Sequence, residues 1–137
     1  MIKNIVRDIE FLKVKSIDLN KDELYVVDDL IDTLKAHLNG CVGMAANMIG
    51  YSKNAIVVLL NDGTILTMIN PIIMSKKYPY NTEEGCLSLE GTRKTQRFKK
   101  IKVQYYDKNF KIKIKTFVDF EAEIVQHEID HLFGIII

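Results

Sequence analysis

Leu24, Val27, Leu30, Ile31, Leu34 and Leu38 recur three and four residues apart, the stripe of an amphipathic helix. Asn20 with Glu23 three residues on has the form of a capping box, and Gly40 stands where such a helix would stop. The period then changes to that of a strand. Residues 54–60 are rich in β-branched side chains, Asn61-Asp62-Gly63 is a hairpin turn, and residues 64–69 form the returning strand. Pro71 either ends that strand or confines it to an edge. Residues 74–91 are polar in places and hold no steady period. Ile101, Val103 and Tyr105 alternate with Lys102, Gln104 and Tyr106; Phe110, Ile112 and Ile114 alternate with three lysines. These are two antiparallel strands joined at Asp107-Lys108-Asn109, each with one wet face. A last helix starts at an Asp119 cap, runs to Phe133 and is closed by Gly134. The predicted class is α+β: mainly antiparallel sheets packed around a C-terminal helix, with one N-terminal helix.

Composition narrows the picture. A chain of 137 residues with 47% apolar content is expected to form one domain, 1–137, around a core of its own. Its 27% charged residues and two prolines do not describe a disordered chain. The longest clear apolar run, Ala55–Leu60, is far too short for a membrane span. Arg7, Asp8 and Glu10 break the stretch where a signal peptide would need apolar residues, so the expected setting is cytoplasmic and reducing. There the two cysteines are thiols or metal ligands rather than a disulfide. The net charge of +1 conceals a skew: residues 92–115 carry ten basic side chains and one acid, a local +9. Those lysines cover a strand face and discourage edge pairing. The sharper reading is a surface that docks on a polyanion, although no aromatic-interleaved motif points to a specific nucleic acid.

The chemistry concentrates in the last helix. His127-Glu128-Ile129-Asp130-His131 fits H-E-x-x-H, and positions i and i+4 project from one helical face, so both imidazoles can reach one metal ion. Glu128 lies beside them as a candidate general base. The chain stops six residues after His131 without another ligating side chain, so a third ligand is expected upstream. Cys41, Cys86, His37 or a carboxylate could serve. A thiolate is the strongest donor among them, and Cys86, next to Gly85, is preferred.

At these residues the chain resembles the peptide deformylases, which remove the formyl group from the N-terminal methionine of new bacterial and organellar proteins. Three of that family's motifs appear in order. E-G-C-L-S is intact at Glu84–Ser88, and Q-H-E-x-D-H-L-x-G is intact from Gln126 to Gly134; G-x-G-x-A-A-x-Q is degraded at Cys41–Met48. The resemblance implies a metal held by Cys86, His127 and His131: Fe2+ in cells, with Zn2+ or Ni2+ able to replace it. It implies Glu128 as general base and acid, and an oxyanion held by the metal, the Leu87 N–H and the motif-one glutamine. It implies formylmethionyl peptides or nascent chains as substrates, and the basic 93–115 region is a candidate for weak ribosome association.

The departures carry expectations of their own. The glutamine position is Met48, which has no N–H to donate; losing one oxyanion donor typically costs ~10²–10³ in turnover. Asn47 is adjacent, but neighbouring side chains point apart. Cys41 replaces the motif's first glycine, as inert packing or as a thiol prone to oxidation. Glu90 replaces the proline usual after E-G-C-L-S. Val42, Gly43, Leu87 and Ile124 are expected to line a pocket for the methionine side chain. Gln126 is expected to orient a ligand, and Arg93 and Arg97 to pair with Glu84 or contact peptide. Two other readings remain: a weak relative that binds formylated or N-blocked peptides, and an amidohydrolase acting on another N-acyl peptide.

Overall fold

The computed structural model describes residues 1–137. In chain order its elements are α1 (Ile9–Leu12), α2 (Tyr25–Lys35), β1 (Gly43–Ala45), β2 (Ala55–Leu59), β3 (Ile65–Cys86), β4 (Leu89–Tyr106), β5 (Ile112–Val118) and α3 (Asp119–Leu132). The strands form one sheet in sequence order, every neighbouring pair antiparallel. Such a meander needs only short connections, and the turn chemistry supplies them. Asp62 Oδ1 accepts the Thr64 N–H at 3.0 Å, and Gly63 takes φ +90° between β2 and β3. Asp107 Oδ1 accepts the Asn109 and Lys111 N–H groups between β4 and β5.

Helix α3 packs on β4, β1 and β2, while α2 packs on β2 and β1. Val26, Val27, Leu30 and Leu34 of α2 are fully buried, as are Ala122 and Val125 of α3 and Ile56, Met68, Val103 and Ile69 of the sheet. Each large aliphatic group so buried contributes roughly 1.5–3 kcal/mol. The short α1 is held against the end of α3 at Gly134. That residue has φ +77°, and a Cβ there would lie 2.2 Å from the Lys13 carbonyl oxygen.

Several expectations change. A second, one-turn helix (α1) precedes α2. Helix α2 ends at Lys35 rather than running to Gly40, because Leu38 is 41% exposed and no packing extends the helix to it. The Glu23 half of the capping box forms, Asn20 N–H to Glu23 Oε1 at 3.0 Å, but it opens a 3-10 turn ahead of α2. Pro71 does not end its strand. It sits in a register shift between Ile69 and Ile72, just where β2 stops pairing, so its missing N–H leaves no gap in the ladder. Residues 74–86 and 89–91, without a period in the sequence, are strand: they belong to a two-stranded ribbon with one wet face and one face of half-buried or buried polar side chains, Tyr80, Thr82, Glu84, Thr95 and Arg97. Strand β5 lacks the expected dry face, since Ile112 (58%) and Ile114 (57%) stay exposed on a sheet edge and only Phe117 is buried. Asp119 is the first residue of α3 but makes no capping bond; Val118 holds the cap position.

Candidate metal centre and active-site cavity

Three donors converge where the tip of β3 meets α3. Cys86 ends β3, while His127 and His131 share one face of α3; their ligand atoms all lie within 4.8 Å of one another. The two Nε2 atoms face each other at 3.0 Å. His127 Nδ1 lies 2.7 Å from Glu84 Oε1, so its N–H donates to that carboxylate and its Nε2 lone pair faces the centre. His131 Nδ1 has no protein partner. The Ser88 N–H points at Cys86 Sγ from 3.5 Å.

A cation fits this arrangement. Nitrogens bound at 2.0–2.1 Å in a tetrahedral site stand about 3.3 Å apart, so the rings need part by only a few tenths of an ångström. One thiolate and two imidazoles form a set suited to zinc or another borderline divalent ion. Without a cation the cluster must keep a proton. Burial opposes charge on His127, but contacts with Cys86 and Glu84 outweigh it and raise its pKa to about 10; burial and the charge of His127 then push His131 down to about 3.

Behind the ligands stands a buried ion network. Arg97 donates from Nε and Nη2 to Glu84 at 2.9 and 2.7 Å, and from Nη1 to Asp130 at 2.6 Å. Burial works against the charge on Glu84, but His127 and Arg97 overcome it and bring its carboxyl to about 2. Glu84 and Cys86 are two apart on one strand and so project to the same side, which lets both meet His127. Arg97 therefore holds Glu84, one of the alternatives left open for it. Arg93 instead donates to the Glu90 carbonyl. Gln126 does not touch a ligand. Its amide exchanges hydrogen bonds with the Phe98 backbone at 2.9 and 2.8 Å and ties α3 to β4.

A cavity of about 470 Å³ opens beside the three donors. Glu128, Leu87, Met48, Val42, Gly43 and Ile124 all line it. Glu128 is buried, its Oε1 has no partner, and burial, only partly offset by His127, raises its carboxyl to about 7, the range of a general base. A Cβ on Gly43 would meet Ile124 Cγ2 at 2.8 Å and Glu128 Oε2 at 3.0 Å, so only glycine lets β1 approach the catalytic face of α3. Met48 lies in the wall with Sδ 3.4 Å from the Ala45 N–H, as an acceptor. Asn47 does not stand in for the missing donor: its Nδ2 donates to the His131 carbonyl at 2.8 Å, and the residue is not part of the cavity wall. Cys41 is a buried thiol donating to the Gly43 carbonyl at 2.9 Å, and burial pushes it up to about 12. It lines the cavity but stands outside the group of donors that converge at Cys86, His127 and His131. His37 is occupied at the Thr33 carbonyl, 2.8 Å away.

Other contributors carry no local sequence signal. Arg7 Nη1 holds the Leu87 carbonyl at 2.9 Å from eighty positions away. Asp130 faces Arg97, and Glu83, Phe120 and Glu123 join the cavity wall. The i, i+3 step from His127 to Asp130 is the one visible clue that both share a side of α3.

Comparisons with known proteins agree with this geometry. The polypeptide deformylase family model matches residues 3–137. A peptide deformylase of Clostridium beijerinckii is 54% identical over 137 residues, the whole of both chains. Among solved structures, a Met-Ala-Ser-bound class I type b peptide deformylase from Acinetobacter baumannii superposes with a TM-score of 0.88 at 28% identity, over 99% of this chain and 97% of that one. The peptide deformylase from Thermotoga maritima gives a TM-score of 0.88 at 26% identity, over 99% and 95%.

Proposed function

Since this chain belongs to the polypeptide deformylase family, a family of metalloenzymes, we propose that Cys86, His127 and His131 hold its metal and that Glu128 moves the proton in removing formyl from N-terminal formylmethionine. The observation that supports these roles best is the buried, unpartnered Glu128 carboxyl next to two inward-facing imidazole nitrogens.

Cys86, His127 and His131 would hold a divalent cation there, which when bound would supply Lewis acidity to the formyl carbonyl and to water. Glu128 takes the proton of the attacking water and returns it to the amine nitrogen as the C–N bond breaks, leaving formate and a free amino terminus. The Leu87 N–H donates to the oxygen that gains charge, and the Arg7 contact steadies the turn that carries it. Val42, Gly43, Leu87 and Ile124 form the wall for the methionine side chain. The ion is Fe2+ in cells, with Zn2+ or Ni2+ able to substitute, consistent with an S/N/N donor set.

Met48 leaves the transition state one donor short, and Asn47 is already committed elsewhere. We therefore assign the chain a reduced turnover, and this same feature favours the second reading, a relative that binds formylated peptides and turns them over weakly. Residues 1–137 act as one domain. The reaction belongs to the cytoplasm, a placement consistent with two free thiols, and no helix is long and apolar enough to cross a membrane. The basic strands over 93–115 are suited to weak ribosome association, which would show as salt-sensitive co-sedimentation.

The test is anaerobic, iron-loaded protein on formyl-Met peptides, with metal content measured on the same sample and Glu128→Gln as control. Formate release well above that control is expected, and Met48→Gln should raise it by up to ~10²–10³. Release no faster than from Glu128→Gln refutes the catalytic assignment. Tight peptide binding with that result would leave the binding reading standing.

A further inference from the structure

The segment before α1 has neither helix nor strand, yet its backbone is not free. The Val6 N–H donates to the Met48 carbonyl at 2.7 Å, Leu12 is buried, and the Ser16 N–H donates to the Leu132 carbonyl at 2.8 Å. Residues 6–16 are thus fixed at both ends, and they carry Arg7 past the tip of the β3–β4 ribbon. There Arg7 Nη1 donates to the Leu87 carbonyl at 2.9 Å. No carboxylate pairs with this guanidinium to draw it elsewhere. Two successive residues therefore clasp two segments of the cavity wall. Val6 takes Met48, where a donor is missing, and Arg7 takes Leu87, whose N–H is the donor that remains.

The turn at Leu87 depends on that clasp. Cys86 faces Leu89, so Leu87 and Ser88 are the two loop residues between β3 and β4 and lie outside the ladder. No backbone N–H reaches the Leu87 carbonyl; its partner is Arg7. The peptide plane joining Leu87 to Ser88 is then held at both edges, its carbonyl by Arg7 and its N–H against Cys86 Sγ at 3.5 Å. Because the peptide itself is rigid, holding that plane limits rotation about the two soft dihedrals of Leu87. Those dihedrals set where the Leu87 N–H points. A donor aimed in advance stabilises developing charge without reorganising during the reaction, and a misplacement of about 1 Å can cost up to ~10² in rate.

We propose that Arg7 is a positioning residue for deformylation: by fixing the Leu87–Ser88 peptide it aims the Leu87 N–H at the oxygen that gains charge. The inference deepens the deformylase reading above and rests on it. Arg7 carries more weight here because Met48 offers that oxygen no second N–H. The N-terminal segment thereby takes part in a reaction whose metal donors and base all lie beyond Gly85.

The test compares iron-loaded Arg7→Met, which keeps the stem and removes the donor, with Arg7→Lys, which can still donate to the carbonyl. Expected for Arg7→Met is a kcat about tenfold lower on a formyl-Met tripeptide with KM changed less than about twofold, the pattern of an interaction made only in the transition state. Arg7→Lys should recover most of the rate. The deficit should persist in roughly 0.5 M salt, where a through-space effect of the charge would be screened. Lys15→Met removes a cation from the same segment, one that lies over Phe133 rather than the turn, and should keep the wild-type kcat. Backbone amide relaxation on zinc-loaded protein gives a readout independent of turnover. Order parameters at Leu87 and Ser88 should fall from about 0.85 to below about 0.6 in Arg7→Met and hold elsewhere in the ribbon. A kcat within about twofold of wild type, a deficit that salt abolishes, or unaltered order parameters at both positions overturns the inference and leaves the deformylase reading intact. No formate release by the unsubstituted enzyme above the Glu128→Gln control overturns both.

Discussion

Replacing Arg97 by methionine would keep most of the side-chain volume and take away the charge that Glu84 and Asp130 share. The two carboxylates are not equally exposed to the loss. The Asp130 side chain is 25% accessible and can turn to water, whereas that of Glu84 is 6% accessible and cannot. Glu84 would lose two short charged hydrogen bonds, at 2.7 and 2.9 Å, and keep only the contact to His127. Removing one partner of a buried pair and stranding the other costs ~3–5 kcal/mol. For a chain of this size that is roughly a 10–17 °C fall in Tm. The metal should suffer too. With Glu84 no longer fixed, His127 loses the group that sets its tautomer and ring orientation, and such losses lower metal affinity by about 10–100-fold.

Urea unfolding in excess chelator isolates the first effect, and chelator competition on the folded protein measures the second. The decisive comparison is the double variant Arg97→Met/Glu84→Gln. The amide oxygen it places at position 84 can still accept from His127 Nδ1 but brings no charge, so the double variant should recover at least half of the stability lost by Arg97→Met alone. If Arg97→Met costs less than about 1 kcal/mol, or the double variant is no more stable than the single, then Glu84 is not a stranded buried charge and the reasoning fails.

Two further outcomes follow from local geometry. Gly43→Ala would drive a methyl group into Ile124 and Glu128, whose atoms already lie 2.8 and 3.0 Å from the Cβ position; a stability loss of about 1–3 kcal/mol and at least a tenfold fall in kcat are expected, and Ile124→Val should restore part of the stability but less of the rate. Tyr51 and Tyr80 are pushed up to about 12, first by burial and then by the carboxylates of Asp29 and Glu123 respectively. A raised acid favours the neutral folded form, so their contribution is whole below pH 10 and is lost as pH rises from 10 through 12. Tyr105 is raised as well, by burial and the nearby Asp107 carboxylate, so phenolate absorbance should show three tyrosines ionising late and together with unfolding, and six ordinary titrations would refute the assignment.

What the sequence revealed and what it hid divide along range. The hairpin at Asn61-Asp62-Gly63, the turn at Asp107-Lys108-Asn109 and the paired imidazoles of α3 all depend on residues a few positions apart, where turn chemistry and helical spacing act directly. The ribbon of residues 72–100 is invisible in the pattern because one of its faces is wet and the other carries polar side chains, among them the buried Glu84 and Arg97, so nothing forces apolar residues into alternation. Ile112 and Ile114 err the other way: they alternate as a core strand would, yet β5 is an edge and nothing covers them. The choice between Cys41 and Cys86 is close on residue chemistry. It is decided by neighbours no spacing rule supplies, a carbonyl that occupies one thiol and two imidazoles that face the other.

The centre itself arises where two periodicities meet. Side chains two apart on β3 share a face, so Glu84 and Cys86 both turn towards α3 while Gly85 between them turns away. Side chains four apart on α3 share a stripe, so His127 and His131 meet them from the helix. Register then decides everything, since a one-residue slip of β3 would bring Gly85 to the helix and carry both functional groups to the far side. The ribbon holds three register shifts, the last between Gly85 and Cys86, where Leu89 follows Thr92 as the facing residue. That shift leaves Glu90 and Gly91 bulged opposite the site and brings the chain round so that Leu87, next after the thiolate, lines the cavity. Arg97 reaches Glu84 from the facing strand and Asp130 from the helix, and so resists a slip of either one. On this view the buried ion network selects the register in which the donors converge, and variants that weaken it should release metal before they unfold.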